Sequence, residues 1–225
     1  MPQTLPMIIH LTDYLTLSIT SEVICFCTAL LCLTGKQNGY WRWMILFLAV
    51  TCIVEISGQY IVLNIPKPNN NWIYNVHLFF EILFMHLFFA HLFKPFAVRN
   101  LPIMIFSTCL TLLFGFLTEL YIYKFTLYCN YTFTILSVIL VLYSLLYYYY
   151  LFKNDFHIDL KFSPEFWWVA GNLFFYFGNT VGNVFYEYFG EGFYPFLYYS
   201  VAVLNVLMYG CWAYSFFCKK WMMKR

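Results

Sequence analysis

Nine polar side chains, Glu22, Glu55, Gln59, His77, Glu81, Asn179, Asn183, Glu187 and Asn205, interrupt stretches of sequence that are otherwise apolar. Groups of these types take and release protons, accept hydrogen bonds and attract cations. Burying an ionisable one in lipid costs from about 2.5 kcal/mol to several times that, so such residues face a bundle interior and mark a pathway or a site. Their spacing is regular. Glu55 and Gln59 are one helical turn apart, as are His77 and Glu81. Asn172, Tyr176, Asn179, Asn183 and Glu187 follow offsets of 0, 4, 7, 11 and 15, one stripe along one helix face. Gly171, Gly178 and Gly182 run beside it, and Gly178-x-x-x-Gly182 is a small-residue spacing that lets a neighbouring helix approach closely. This helix is expected at the centre of the bundle.

Two kinds of chemistry are compatible with the set. If several helices deliver these groups to one depth, they form a polar pocket for a small ligand. Alternatively, His77-x-x-x-Glu81 presents two metal-ligand types on one helix face, and Glu22 or Glu55 supplies a third, as an intramembrane metal hydrolase requires. The second pattern is thin, because no HExxH, no GxSxG and no second histidine on a neighbouring span accompanies it. Each residue also has a structural role open to it. A lone membrane amide commonly bonds across helices for about 0.6–2 kcal/mol, and His77 and Glu81 are able to satisfy each other. His86, His91 and Glu119 lie near helix ends or on other faces and read as structural.

The elements that must hold these residues are membrane helices. The chain is 63% hydrophobic and 10% charged, against about a quarter charged in soluble domains. Seven apolar runs, at about 11–34, 41–62, 72–93, 101–120, 125–152, 165–189 and 194–217, each approach the roughly 20 residues that cross a hydrocarbon core. The expected fold is therefore an all-α seven-transmembrane-helix bundle forming one domain. Breaks fall at Gly35–Gly39, Pro66-Lys67-Pro68, Lys94-Pro95, Ser163-Pro164-Glu165 and Gly190-Glu191-Gly192. Such short connections make consecutive helices antiparallel neighbours.

Charge gives the orientation. Ten of the twelve Lys and Arg residues (Lys36, Arg42, Lys94, Arg99, Lys153, Lys161, Lys219, Lys220, Lys224 and Arg225) fall on one side, and Lys67 and Lys124 fall on the other. Basic residues are retained in the cytoplasm, so the N-terminus is expected outside and the C-terminus inside. Glu55, Gln59, His77, Glu81, Asn179, Asn183 and Glu187 then share the outer half of the membrane, with Glu22 and Asn205 as a floor near its middle. The result is a cup facing outward. The first residues lack the basic leader of a cleavable signal, and the first helix is expected to be retained.

Tyr40, Trp41, Trp43, Trp72, Tyr74, Tyr121, Tyr123, Tyr147 to Tyr150, Trp167, Trp168 and Trp221 sit at expected helix ends and read as an interfacial aromatic belt. The eight cysteines include no CxxC pair and read as small core residues. Asn130-Tyr131-Thr132 matches a glycosylation acceptor, but at a helix edge where modification is obstructed. A covalent retinal site is excluded because Tyr194–Phe217 contains no Lys. The paired helix breaks of inverted-repeat carriers are absent, as is the Pro-Gln hinge of small sugar carriers.

Trp72 to Phe84 (WIYNVHLFFEILF) and Phe166 to Asn179 (FWWVAGNLFFYFGN) resemble small uncharacterised multi-pass membrane proteins of Bacteroidetes. The resemblance implies a bacterial inner membrane and no particular activity. The function expected is non-enzymatic binding or sensing of a small ligand, with transport as the alternative and metal-dependent hydrolysis as a second. No cofactor is implied. The partners are the lipid bilayer, a small-molecule ligand, and an acidic cytoplasmic protein or anionic lipid on the basic face, with no nucleic acid.

Overall fold

The computed structural model describes residues 16–66, 68–153, 159–189 and 194–222. Lys67, Lys224, Arg225, residues 11–15 of the first expected span and the Gly190-Glu191-Gly192 turn lie outside them, as does the side chain of Glu187. Among the described residues the chain is all helical, without strands. Seven α-helices follow in order: α1 Leu17–Leu33, α2 Trp43–Asn64, α3 Asn71–Phe93, α4 Leu101–Tyr123, α5 Asn130–Lys153, α6 Pro164–Phe189 and α7 Tyr194–Met222. Short 3-10 turns lead into α2, leave α3 and precede α6.

Five segments are long and apolar enough to cross a membrane: Gly39–Asn64, Asn71–Phe96, Leu101–Tyr123, Asn130–Lys153 and Tyr199–Met222. The other two helices miss for different reasons. Thr16 caps α1, its hydroxyl accepting from the Ile19 N–H, so the helix begins at Leu17 and has only 17 residues. Helix α6 has 26 residues, but its polar stripe dilutes its hydropathy. Large apolar side chains on the outer faces, such as Leu31, Ile53, Phe106 and Phe114, are exposed. In water they would be a heavy penalty; they are the surface of a membrane-embedded protein.

The helices form a closed ring in chain order, α1 through α7 and back to α1, with α3 also packed against α5. The first and last helices, α1 and α7, pack side by side, and α6 lies between α5 and α7. Helix α6, expected at the centre, packs extensively on α5 and α7, and α3 is the most buried of the five span-length segments, with more than half of its apolar window buried. The sequence explains this: Leu78, Ile82, Met85, Phe88, Phe89 and Leu92 are all buried on one face, and buried Asn75, Glu81, Phe84, His86 and Phe93 widen it to about half of the α3 circumference. Helix α6 meets α7 closely. A Cβ on Gly171 would lie 3.0 Å from the Met208 carbonyl oxygen and 3.1 Å from Trp212, while one on Gly178 would meet the Leu204 methyls at 2.6 Å.

The aromatic residues divide in a way that composition does not reveal. Trp43, Trp72, Tyr121, Tyr149 and Trp221 are exposed, as interfacial anchors would be. Trp41, Tyr147 and Trp168 are buried, a correction to the belt. Trp168 stacks on Trp212 with centroids 5.7 Å apart and meets Phe88 at 4.3 Å; Phe47 meets Phe84 at 4.3 Å. These contacts knit α2, α3, α6 and α7 into one aromatic layer, each pair adding about 0.5–1.5 kcal/mol beyond area burial.

Basic residues gather at one end of the bundle. Lys219 Nζ lies 3.4 Å from Glu165 Oε1, and Lys220 Nζ donates to the Leu31 carbonyl at 2.8 Å, capping the C-terminus of α1. At the same end Tyr214 donates to the Lys161 carbonyl. Ser163 caps α6, its hydroxyl accepting from the Phe166 N–H at 3.3 Å, with Pro164 in the first turn.

At the opposite end the fifth expected span begins later than expected, at Asn130 rather than near Phe125. Helix α4 ends on Lys124 in the left-handed region, whose N–H bonds the Leu120 carbonyl at 2.8 Å. The next residues fold inward instead of continuing. Asn75, fully buried on α3, donates to the Leu127 carbonyl and accepts from the Cys129 N–H, both at 2.9 Å. Glu119 then receives the start of α5: Oε1 accepts from Tyr131 N–H at 3.2 Å, and Oε2 from the Thr132 N–H and hydroxyl at 2.9 and 2.7 Å. The loop and the helix start thus find partners for backbone groups that lipid could not satisfy. Thr132, the third residue of the acceptor triplet, is buried in this arrangement.

Candidate functional site

The polar residues of five helices border one cavity of about 380 Å³, within the roughly 300–1,000 Å³ usual for small-molecule pockets. Helix α1 contributes Ser18 and Glu22; α2 contributes Thr51, Glu55 and Gln59; α3 contributes Tyr74, His77 and Glu81; α6 contributes Tyr176 and Asn179; α7 contributes Asn205 and Tyr209. Tyr128 enters from the inward-folded loop before α5. Each of these helices presents its polar groups from its middle and from the half remote from the basic end. The antiparallel alternation makes this possible, since α2 and α6 approach that level with their C-terminal halves and α1, α3 and α7 with their N-terminal halves.

Of the nine residues singled out by sequence, Glu22, Glu55, Gln59, His77, Glu81, Asn179 and Asn205 border the cavity. Asn183 is half-buried and does not border it, because one further turn of α6 carries it past the rim. Glu187 falls among the undescribed side chains.

Hydrogen bonds fix the walls. The Tyr74 hydroxyl donates to Glu55 Oε2 at 3.2 Å, and the Tyr176 hydroxyl donates to Glu81 Oε1 at 2.5 Å. Thr51 Oγ1 and His77 Nε2 are 3.1 Å apart, and Asn205 Nδ2 donates to Ser18 Oγ at 3.3 Å. His77 Nδ1 and Glu81 Oε2 stand 3.8 Å apart, beyond hydrogen-bond length. The two residues, for which mutual satisfaction was an open alternative, approach each other at that distance and find their hydrogen-bond partners on other helices. Gly58 permits one of these contacts, since a Cβ there would lie 2.6 Å from the Tyr74 hydroxyl. Glu22 is 3% exposed and lies beside Tyr209, yet its Oε2 has no hydrogen-bond partner.

No family model, curated protein or solved structure matches this chain. Among the described residues no three His, Cys, Asp or Glu side chains are grouped so as to hold a metal ion. The cavity carboxyls are distributed around a wall rather than converging on a point.

Below Glu22 and Asn205 the cavity is closed by Phe47, Met85, Met208 and Trp212, all buried. This apolar floor separates the polar chamber from the basic end. One polar outlier lies deeper: Asn172, fully buried, donates to the Trp168 carbonyl at 2.8 Å.

Five contributors were neither among the sequence candidates nor on the α6 stripe: Ser18, Thr51, Tyr74, Tyr128 and Tyr209. Tyr74 and Tyr128 flank helix starts, where tyrosine is ordinarily an interfacial anchor. A usable signal existed for Tyr74, which precedes His77 by three residues and so shares its helix face. Next to Tyr128, Cys129 is buried and free, and burial pushes its thiol up to about 11. It is a packing residue rather than a nucleophile.

Proposed function

We propose that this protein spans a cell inner membrane seven times, N-terminus outside and C-terminus in the cytoplasm, and binds a small ligand in an outward-facing cup as a non-enzymatic sensor or receptor. The observation that carries the reading is the polar chamber at the end of the bundle opposite the basic residues, sealed beneath by Phe47, Met85, Met208 and Trp212. Helices α1 and α6 cross as parts of the ring: α1 is short enough to thin the bilayer locally, and α6 turns its polar stripe inward. The resemblance to Bacteroidetes membrane proteins supports a bacterial inner membrane. Exposed Lys94, Arg99 and Lys153 at the basic end favour anionic lipid or an acidic partner that relays the signal.

Carriage across the membrane is the alternative, and the two methionines of the floor favour it, since their unbranched side chains repack readily. A carrier must open that floor; a sensor need only tighten the wall around its ligand.

Orientation is tested with fusions. A reporter joined after Arg225 should be active only in the cytoplasm and one inserted at Asn70 only outside. Active reporters in the reverse compartments would place the chamber on the cytoplasmic side and overturn the outward reading. The cup is tested with single cysteines in an otherwise Cys-free protein. Ser18→Cys and Asn179→Cys should react from outside with a membrane-impermeant thiol reagent, while Phe174→Cys, on the lipid-facing surface, stays silent. Silence at both chamber positions under every condition would leave a sealed bundle and no cup.

A further inference from the structure

We infer that the ligand of this cup is a small organic cation of the quaternary or substituted ammonium class, an inference that rests on the ligand-binding reading above. Three carboxyl groups from three different helices, Glu22, Glu55 and Glu81, border one chamber with no Lys or Arg among the described residues of its wall. The one basic group among those described residues, His77, is held against Thr51. Tyrosine hydroxyls bond Glu55 and Glu81, and Tyr209 lies beside Glu22, whose Oε2 is enclosed in the wall without a partner of its own. Carboxyls gathered from three helices around one chamber are matched by a bound positive charge.

The remaining lining says which kind of cation. A metal ion requires several donors converging at about 2.0–2.6 Å, and no group of three His, Cys, Asp or Glu side chains is brought together among the described residues. The wall is instead rich in π faces, including Phe47, Tyr128, Phe133, Tyr209 and Trp212. Rings of this kind attract a diffuse, weakly hydrated positive charge within about 6 Å of their centroids. Carboxyls dispersed around such rings complement a charge spread over several carbons. The volume suits a compact molecule, and the apolar floor would receive its hydrocarbon part.

The test uses choline, whose positive charge does not depend on pH, against its neutral isostere 3,3-dimethylbutan-1-ol and the anion 3,3-dimethylbutanoate. Full-length protein in dodecyl maltoside and sodium phosphate, without amine buffers, is titrated calorimetrically. Choline should bind at least tenfold more tightly than either isostere. Glu22→Gln should weaken choline at least tenfold while its thermal midpoint stays near that of the parent, and Glu165→Gln, at the basic end, should change nothing. Equal or tighter binding of the alcohol or the anion would overturn the cation assignment and leave the cup standing. So would choline binding that Glu22→Gln does not affect, or failure of all three probes in a protein whose Ser18→Cys and Asn179→Cys variants are labelled. If those positions are also silent, the ligand-binding reading falls with it.

Discussion

Gly171→Leu should leave no folded, monodisperse protein after solubilisation, whereas Gly178→Ala should be recovered in near-parental amounts. Both glycines face α7, but they meet different things. At Gly171 even a methyl carbon would stand 3.0 Å from the Met208 carbonyl oxygen and 3.1 Å from the Cys211 and Trp212 side chains. A backbone oxygen inside a helix has nowhere to retreat, so the larger side chain would part α6 from α7 and break the Trp168–Trp212 stack with them. Overpacking a dense core typically costs about 1–3 kcal/mol, and separating the most closely packed helix pair here should exceed that range. At Gly178 the neighbour is the far end of Leu204, which can rotate toward lipid. Size-exclusion profiles and thermal midpoints of the two variants check the contrast; equal behaviour would mean that the α6–α7 approach is looser than described.

Glu119→Ala should lower stability by about 2–4 kcal/mol, because it strands the Tyr131 and Thr132 N–H groups and the Thr132 hydroxyl where water does not readily replace them. Glu119→Gln, which keeps the volume and one acceptor oxygen, should fall between. The loss should also be visible locally. With Cys129 as the sole cysteine, the thiol is inert in the parent, being wholly buried, and should become reactive in Glu119→Ala as the segment between α4 and α5 lifts away. A reactive Cys129 in the parent, or an unaltered midpoint in the alanine variant, would contradict the role assigned to Glu119.

The membrane character of the fold was legible because apolar run length and charge placement are local properties of the chain. Seven helices follow the seven expected runs, with five meeting span criteria of length and apolarity. Their edges were less legible. Whether Phe125 begins a helix depends on Asn75 and Glu119, which lie on other helices and intercept the backbone groups of the loop. Periodicity along one segment carries no record of such partners. The candidate site divides on the same principle. The i, i+4 pairs and the α6 stripe supplied most of the charged and amide groups of the wall, since helical spacing determines which residues share a face. It does not determine where along its length a helix leaves the cavity, so Asn183 was included and Thr51 was not. Tyr128 and Tyr209 were invisible for a chemical reason: tyrosine serves equally as membrane anchor, core filler and hydrogen-bond donor to a buried carboxyl. Trp41 and Trp168 were misjudged by the same ambiguity, because position at a helix end does not distinguish a ring facing lipid from one facing the bundle.

The pairing of α1 with α7 has a consequence for biosynthesis. Helix α1 packs against α7, which leaves the ribosome long after it, and the Lys220 ammonium that caps α1 at Leu31 is made nearly two hundred residues after the carbonyl it binds. Throughout that interval Glu22 sits in a membrane without Asn205, Tyr209 or the wall they complete. A chain that stops before α7 therefore leaves the Glu22 face of α1 uncovered. Truncation there removes more than α7 itself: it leaves α1 without its principal neighbour.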